Sequence, residues 1–282
     1  MVCQHDVMRR RLALIPAVCV AIAVLGALHA VAGAIPAVAV PIAAASAEIE
    51  LVGLPALGDR PLNWRTVLVA GDDSVAAFDN GITAIAEGLG GRGVSDVVEL
   101  RASAGNATAV KVGAAIEGLQ AGEGDGCLVY LTSHGSEDGV LLGNDGNASP
   151  EDLLDPDELT AMLDRGCGRA PTVLVVSACH SGTFLTNAMT QPNRIVITAS
   201  RKDRTSFGCS DEYEFTFFDE CVITSIPAAD DWSAFFDDVD ACVEAKEDDL
   251  GVTPSQPQMF EGPSVDDLAL PESLIPWLKA QA

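Results

Sequence analysis

Two short segments of this sequence combine residue types that can do covalent chemistry. Ser177-Ala178-Cys179-His180-Ser181-Gly182 closes one apolar run, and Ser133-His134-Gly135-Ser136 closes another upstream. A thiol attacks a carbonyl only as thiolate, and a neighbouring histidine is the usual base that generates it. The chain has four histidines. His5 and His29 lie in the N-terminal 47 residues, a leader-like segment, which leaves His134 and His180 for Cys179. His180 directly follows Cys179, so in an extended exit its side chain points to the opposite face and reads as a rim residue. His134 is therefore the candidate base. Gly135 lets the backbone approach a bound molecule closely. Its N–H, with that of Cys179, can bind an oxyanion. A cysteine alone at a strand end is ordinarily a small buried hydrophobe. Its pairing with His-Gly at a second strand exit makes it a candidate nucleophile, with a lowered pKa expected. No G-x-S-x-G, C-x-x-C or H-E-x-x-H is present, so a serine nucleophile elbow and a zinc centre lack support. No metal and no cofactor is expected.

The elements that must position these residues follow from apolar patterning. Thr66 to Ala70 reads as a buried strand. Gly71-Asp72-Asp73-Ser74 is a turn suited to cap a helix running to about Leu89. Strands are expected at Asp96–Leu100, Cys127–Thr132, Thr172–Ser177 and Arg194–Ala199, with helices at Ala109–Leu119 and Asp155–Arg165. Asp155-Pro156 supplies the N-cap and first position of the latter. A late helix, Asp231 to Lys246, precedes a short candidate strand near Gln258-Met259-Phe260. Strands alternating with helices predict a parallel, doubly wound α/β sheet. Function in such sheets sits at the carboxyl ends of the strands. Both chemically loaded segments fall there, on strands expected to be neighbours.

The whole chain has 282 residues, with 16 Lys+Arg against 41 Asp+Glu. That charge repels nucleic acid and anionic lipid, so neither is an expected partner. Arg9-Arg10-Arg11 precedes Leu12 to Ala47, a run without Lys, Arg, Asp or Glu that ends in Ala45-Ser46-Ala47. A basic start, an apolar run and an A-x-A exit form a secretory signal pattern. Export, periplasmic or secreted, is the expectation, with cleavage after Ala47. The run is also long enough to stay as a membrane anchor, although Pro36 and Pro41 interrupt its second half. Membrane contact is expected only through this segment. The chain thus divides into a signal segment over 1–47, a linker or N-terminal extension over 48–63, and one domain over 64–282. Six cysteines follow the leader, and outside the cytosol some should pair. Cys127 reads as core, and Cys167, in Gly-Cys-Gly, as a disulfide or surface thiol.

Four segments resemble the legumain family of cysteine peptidases, which includes asparaginyl endopeptidase and the catalytic subunit of the GPI-anchor transamidase. They are VLVAGDDSVAAFDN (Val67 to Asn80), TSHGSEDG (Thr132 to Gly139), SACHSG (Ser177 to Gly182) and ASRKDRTSFGC (Ala199 to Cys209). Their order and spacing match across roughly Trp64 to Phe260, most like the short, exported bacterial-type members. The resemblance implies a caspase–haemoglobinase fold, with a mostly parallel central sheet and helices on both faces. It also implies a Cys/His dyad acting on peptide or protein substrates. Cys179 matches the nucleophile, His134 the general acid/base, and Gly135, with Cys179, the oxyanion hole. Ser206 matches a pocket serine. Ser177 stands where legumain has a glutamate, and Asp79 is nearest the position of a pocket arginine. An acid there weakens the expectation of asparagine and would favour a basic residue before the cut. Asp79-Asn80 has a structural alternative, orienting His134 or capping a helix. A large C-terminal prodomain of the legumain kind, and its style of zymogen control, is not expected. Three functions are compatible: a cysteine endopeptidase working through a thioester, a transamidase or transpeptidase with the same dyad, and a catalytically silent caspase-like interaction module.

Overall fold

The structure is a computed structural model that describes residues 61–143 and 152–272. The expected signal segment, and the linker up to residue 60, lie outside the described residues.

Six strands form the central sheet: β1 (Asn63–Ala70), β2 (Asp96–Arg101), β3 (Asp125–Thr132), β7 (Thr172–Ser177), β8 (Arg194–Thr198) and β9 (Gln258–Glu261). Their spatial order is β2-β1-β3-β7-β8-β9. All neighbours are parallel except β8 and β9, which are antiparallel. The inner strands are continuous apolar runs because both sheet faces are covered. Alternate residues divide between two layers. Leu68, Tyr130, Val175 and Ile197 pack with α1 (Ala76–Gly91), α4 (Phe217–Ser225) and α5 (Trp232–Leu250). Val67, Val129, Leu131 and Val176 pack with α2 (Ala109–Glu117) and α3 (Pro156–Gly166).

Four of these helices start on side-chain caps. Thr108, Asp155, Thr216 and Asp231 accept from backbone N–H groups at the starts of α2, α3, α4 and α5. Helix α1 differs. Its N-cap is Val75, which offers no side-chain acceptor. The turn expected to cap it bonds to itself instead: the Ser74 N–H donates to Asp72 Oδ1 at 2.7 Å. That leaves the Ser74 hydroxyl for another partner, described below.

Two features were not anticipated. Helix α4 is one. The other is a small antiparallel sheet of β4 (Gly135–Ser136), β5 (Gly139–Leu141) and β6 (Leu153–Leu154), which begins directly after His134. Among the described residues, two disulfides brace the helices. Cys127–Cys167 ties β3 to the residue capping the end of α3, and Cys221–Cys242 ties α4 to α5. Cys127 is thus both core and covalent staple. Loop closures of this size are worth about 3 kcal/mol or more each.

Candidate active site

The site is built where β3 and β7 end side by side. Thr132 is in register with Ser177. One residue on, the Ser133 N–H donates to the Ser177 carbonyl at 3.1 Å. Two residues further, Gly135 lies against the Cys179 backbone. A Cβ on Gly135 would stand 2.3 Å from the Cys179 carbonyl oxygen and 2.9 Å from Ala178 Cβ. Only hydrogen fits there, so the two chemically loaded segments meet backbone to backbone. The β4–β5 hairpin clamps this junction. The Leu141 N–H donates to the His134 carbonyl at 2.9 Å, and the Ser133 hydroxyl donates to the Leu141 carbonyl at 2.8 Å.

His134 faces the β1–α1 turn. Its Nε2 is 3.1 Å from Ser74 Oγ and 3.9 Å from Asp72 Oδ1. Phe78 of α1 meets the imidazole edge to face, with centroids 5.1 Å apart. The residues that fail to cap α1 hold the histidine instead.

Cys179 carries a thiol and is 2% exposed. The Ser206 N–H donates to its sulfur at 3.3 Å, and Ser206 Oγ is 3.8 Å away. Burial pushes the thiol pKa up, and the Ser206 backbone and hydroxyl contacts offset this only partly. The expected lowering of the thiol pKa is not seen: burial is the largest cause and raises it.

The exit is not extended at His180, which adopts a left-handed backbone with φ of 58° and is held by the loop after β8. Its N–H donates to the Arg204 carbonyl at 2.8 Å, and Nδ1 lies 3.0 Å from the Lys202 carbonyl. The turn after it is tight: a Cβ on Gly182 would stand 2.5 Å from Lys202 N. The loop from Arg201 to Ser206 is thus fastened beneath the cysteine.

Ser177 is buried, with Oγ 3.5 Å from Thr216 Oγ1. Beside it lies Asp219 of α4, fully buried. Its carboxylate accepts from the Tyr130 hydroxyl at 2.6 Å and the Thr132 hydroxyl at 2.7 Å. Burial pushes its pKa up, against hydrogen bonds from Ser177, Tyr130, Thr132 and Thr216. This polar cluster underlies the strand ends that carry His134 and Cys179. Its sequence signal is slight: Asp219, with Glu220, interrupts the otherwise apolar Phe217–Val222 segment three residues after a capping threonine.

Cys179, Ser177, Ser206, His134 and Gly135 therefore gather around the ends of β3 and β7. Asp79 is held elsewhere. Its carboxylate accepts from the Ser103 hydroxyl and lies 3.7 Å from Arg101 Nη1, at the end of β2. Asn80 donates to the Glu214 carbonyl at 3.0 Å, linking α1 to the loop before α4. Among the described residues no cluster of three His, Cys, Asp or Glu side chains is arranged to hold a metal ion. No described helix is long and apolar enough to cross a membrane.

The arrangement has known counterparts. A similar solved structure is caspase-1 from Spodoptera frugiperda, with a TM-score of 0.54 and 11% identity over 72% of this chain and 87% of that one. That likeness is one of fold, and it makes the six-stranded α/β architecture caspase-like. No curated protein matches the sequence. The sequence from residue 94 to residue 247 matches the Peptidase C13 family, more than half of the chain and both loaded segments. With the two central strands of a caspase-like sheet carrying those segments to their carboxyl ends, the chain belongs to the Peptidase C13, or legumain, family of cysteine peptidases.

Proposed function

We propose that the protein is an endopeptidase that cleaves peptide bonds through Cys179 and His134. What supports this most is the close approach of Gly135 to the Cys179 carbonyl at the ends of two paired strands. That approach sets the segment carrying His134 beside the segment carrying Cys179, which supports a thiol and an imidazole working together. In the proposed cycle His134 takes the Cys179 proton as sulfur attacks the substrate carbonyl carbon. The Gly135 and Cys179 N–H groups hold the oxyanion. The C–N bond breaks as His134 returns the proton to the leaving amine, which leaves a thioester on Cys179. Water then attacks the thioester, giving one proton to His134, and the acid departs as the thiol is restored. An amine in place of that water would give a transpeptide, so the test includes product masses with an added amine.

We also propose export. Two disulfides fit an oxidising compartment, as does the signal pattern over residues 1–47. Asp79 is paired with Arg101, which reduces the charge it can offer a basic residue before the cut.

The test uses residues 48–282 on a fluorogenic panel with Arg, Lys and Asn before the cut. Wild type is expected to cleave, with Cys179→Ala and His134→Ala each losing about a thousandfold or more in kcat/KM. Cleavage by Cys179→Ala at the wild-type rate would sink the proposal.

A further inference from the structure

The His134 imidazole is approached on one nitrogen by two residues that no part of the dyad uses. Ser74 Oγ lies 3.1 Å from Nε2, and Asp72 Oδ1 lies 3.9 Å from the same atom. Both residues come from the β1–α1 turn, outside the segment 94–247 that matches the family. Asp72 is 4% exposed, and its Oδ1 also accepts the Ser74 N–H at 2.7 Å. That bond fixes the serine and the carboxylate as one unit. The Ser74 hydroxyl can donate or accept, whereas the Asp72 carboxylate can only accept, so the pair favours the tautomer whose proton sits on Nε2. The nitrogen that must exchange a proton with the thiol is then Nδ1. When Nδ1 takes that proton the ring becomes a cation, and a buried carboxylate about 4 Å away stabilises it.

We infer that Asp72 and Ser74 are the positioning pair of this site: they hold His134 as its Nε2–H tautomer and raise its basicity for proton exchange through Nδ1. The inference rests on the assignment of His134 as the acid/base. The proton balance is closed. The thiol proton moves from Sγ to Nδ1 and on to the leaving amine, while the Nε2 proton stays on the ring facing Ser74. Other titratable groups occupy the elements around His134. They are Asp73 on the same turn, Asp79 on α1, Glu137 and Asp138 in the β4–β5 turn, and Asp152 ahead of β6. Asp219 lies beneath β3, and Cys179 lies on the exit of β7. Asp72 is the carboxylate paired with Nε2.

Two readouts on residues 48–282 separate this role from that of a turn that merely folds. The first needs no variant: nitrogen-15 correlation spectra of the histidine side chains of the wild type. His134 is expected to show a protonated Nε2 and an unprotonated Nδ1 at neutral pH. The opposite tautomer would overturn the inference. The second is kcat/KM against pH for wild type, Asp72→Asn and Ser74→Ala. Asp72→Asn is expected to shift the His134 titration, and with it the limb of the profile that it governs, down by about one pH unit. Ser74→Ala should lower kcat about tenfold with KM little changed, and Ser74→Thr, which restores the hydroxyl, should recover most of that loss. Unshifted titration in folded Asp72→Asn would overturn the inference while leaving the dyad intact. Should Asp72→Asn not fold, the wild-type tautomer and the Ser74 pair decide. Retention of cleavage by Cys179→Ala or His134→Ala, by contrast, would remove the dyad itself.

Discussion

Replacing Gly135 by alanine perturbs the site at one atom. The added Cβ would lie 2.3 Å from the Cys179 carbonyl oxygen and 2.9 Å from Ala178 Cβ. Ordinary packing needs roughly 3.5 Å between such atoms, so the exits of β3 and β7 must part by about 1 Å. A shift of about 1 Å in a reacting group costs on the order of a hundredfold in rate, or about 2.7 kcal/mol. The fold loses less, about 1 to 3 kcal/mol, because strain at a strand exit can relax toward solvent. For a domain of this size that lowers Tm by roughly 2 to 10 °C. Gly90 supplies the control. It lies near the end of α1 with nothing within 4 Å of an added Cβ, so Gly90→Ala should be neutral or stabilise by up to about 1 kcal/mol. The assay is kcat/KM on the best peptide of the panel, beside thermal melts of both variants. A folded Gly135→Ala enzyme within a factor of three of wild type would refute the claim that this backbone contact aligns the site.

Asp219→Ala should destabilise by about 3 kcal/mol, because it strips the buried hydroxyls of Tyr130 and Thr132 of their acceptor. Asp219→Asn keeps an acceptor and removes the buried charge. The Asp219 pKa is raised above its ordinary 3.8, so its stabilising effect is fullest below that value and fades as pH rises through the folded pKa. Chemical denaturation of Asp219→Asn should therefore gain relative to wild type as pH rises from 4 toward 7, and an opposite trend would count against a charge held at a cost. Alkylation of Cys179 should climb with pH to beyond the ordinary thiol value of 9.0, because burial raises it. A rate already at its plateau by pH 7 would mean a preformed thiolate. Cys221→Ser with Cys242→Ser should lower stability by about 3 kcal/mol through the lost loop closure, read by the shift in denaturant midpoint.

Much of this architecture was legible because parallel strands buried on both faces leave unbroken apolar runs. The strand Thr172–Ser177 is legible to the residue, and the Asp155 cap falls where a short acceptor meets helical patterning. The missed elements carry weaker local signals. Helix α4 is nine residues of mostly aromatic and β-branched character, with a low intrinsic helix preference. It forms because Thr216 caps it, Phe218 and Val222 pack on the sheet, and a disulfide ties it to α5. Strands β4 and β6 are two residues each, too short to show a period. Within the site, Cys179, His134 and Gly135 stood out by residue type. Ser74 and Asp72 did not, because a turn rich in Asp and Ser predicts a helix cap equally well. Only tertiary contact turns that hydroxyl toward His134.

The buried thiol and the carboxylate behind the histidine belong to one electrostatic scheme. Cys179 is 2% exposed, and burial pushes its thiol pKa up. In the proposed cycle, proton transfer to His134 creates a thiolate and an imidazolium together, a pair that burial alone would penalise. Asp72 near Nε2 supports the cation, and the Ser206 N–H on sulfur supports the anion. Both supports come from outside the two strands that carry the reacting groups, one from the β1–α1 turn and one from the loop after β8. Displacing either should cost turnover more than resting-state stability, because each stabilises a charge that exists only during the reaction. On that basis Asp72→Asn should lower kcat while shifting Tm by no more than its lost turn contact to the Ser74 N–H allows, about 1 kcal/mol. A variant that melts far below wild type yet keeps full kcat would place Asp72 in the fold and not in the proton path.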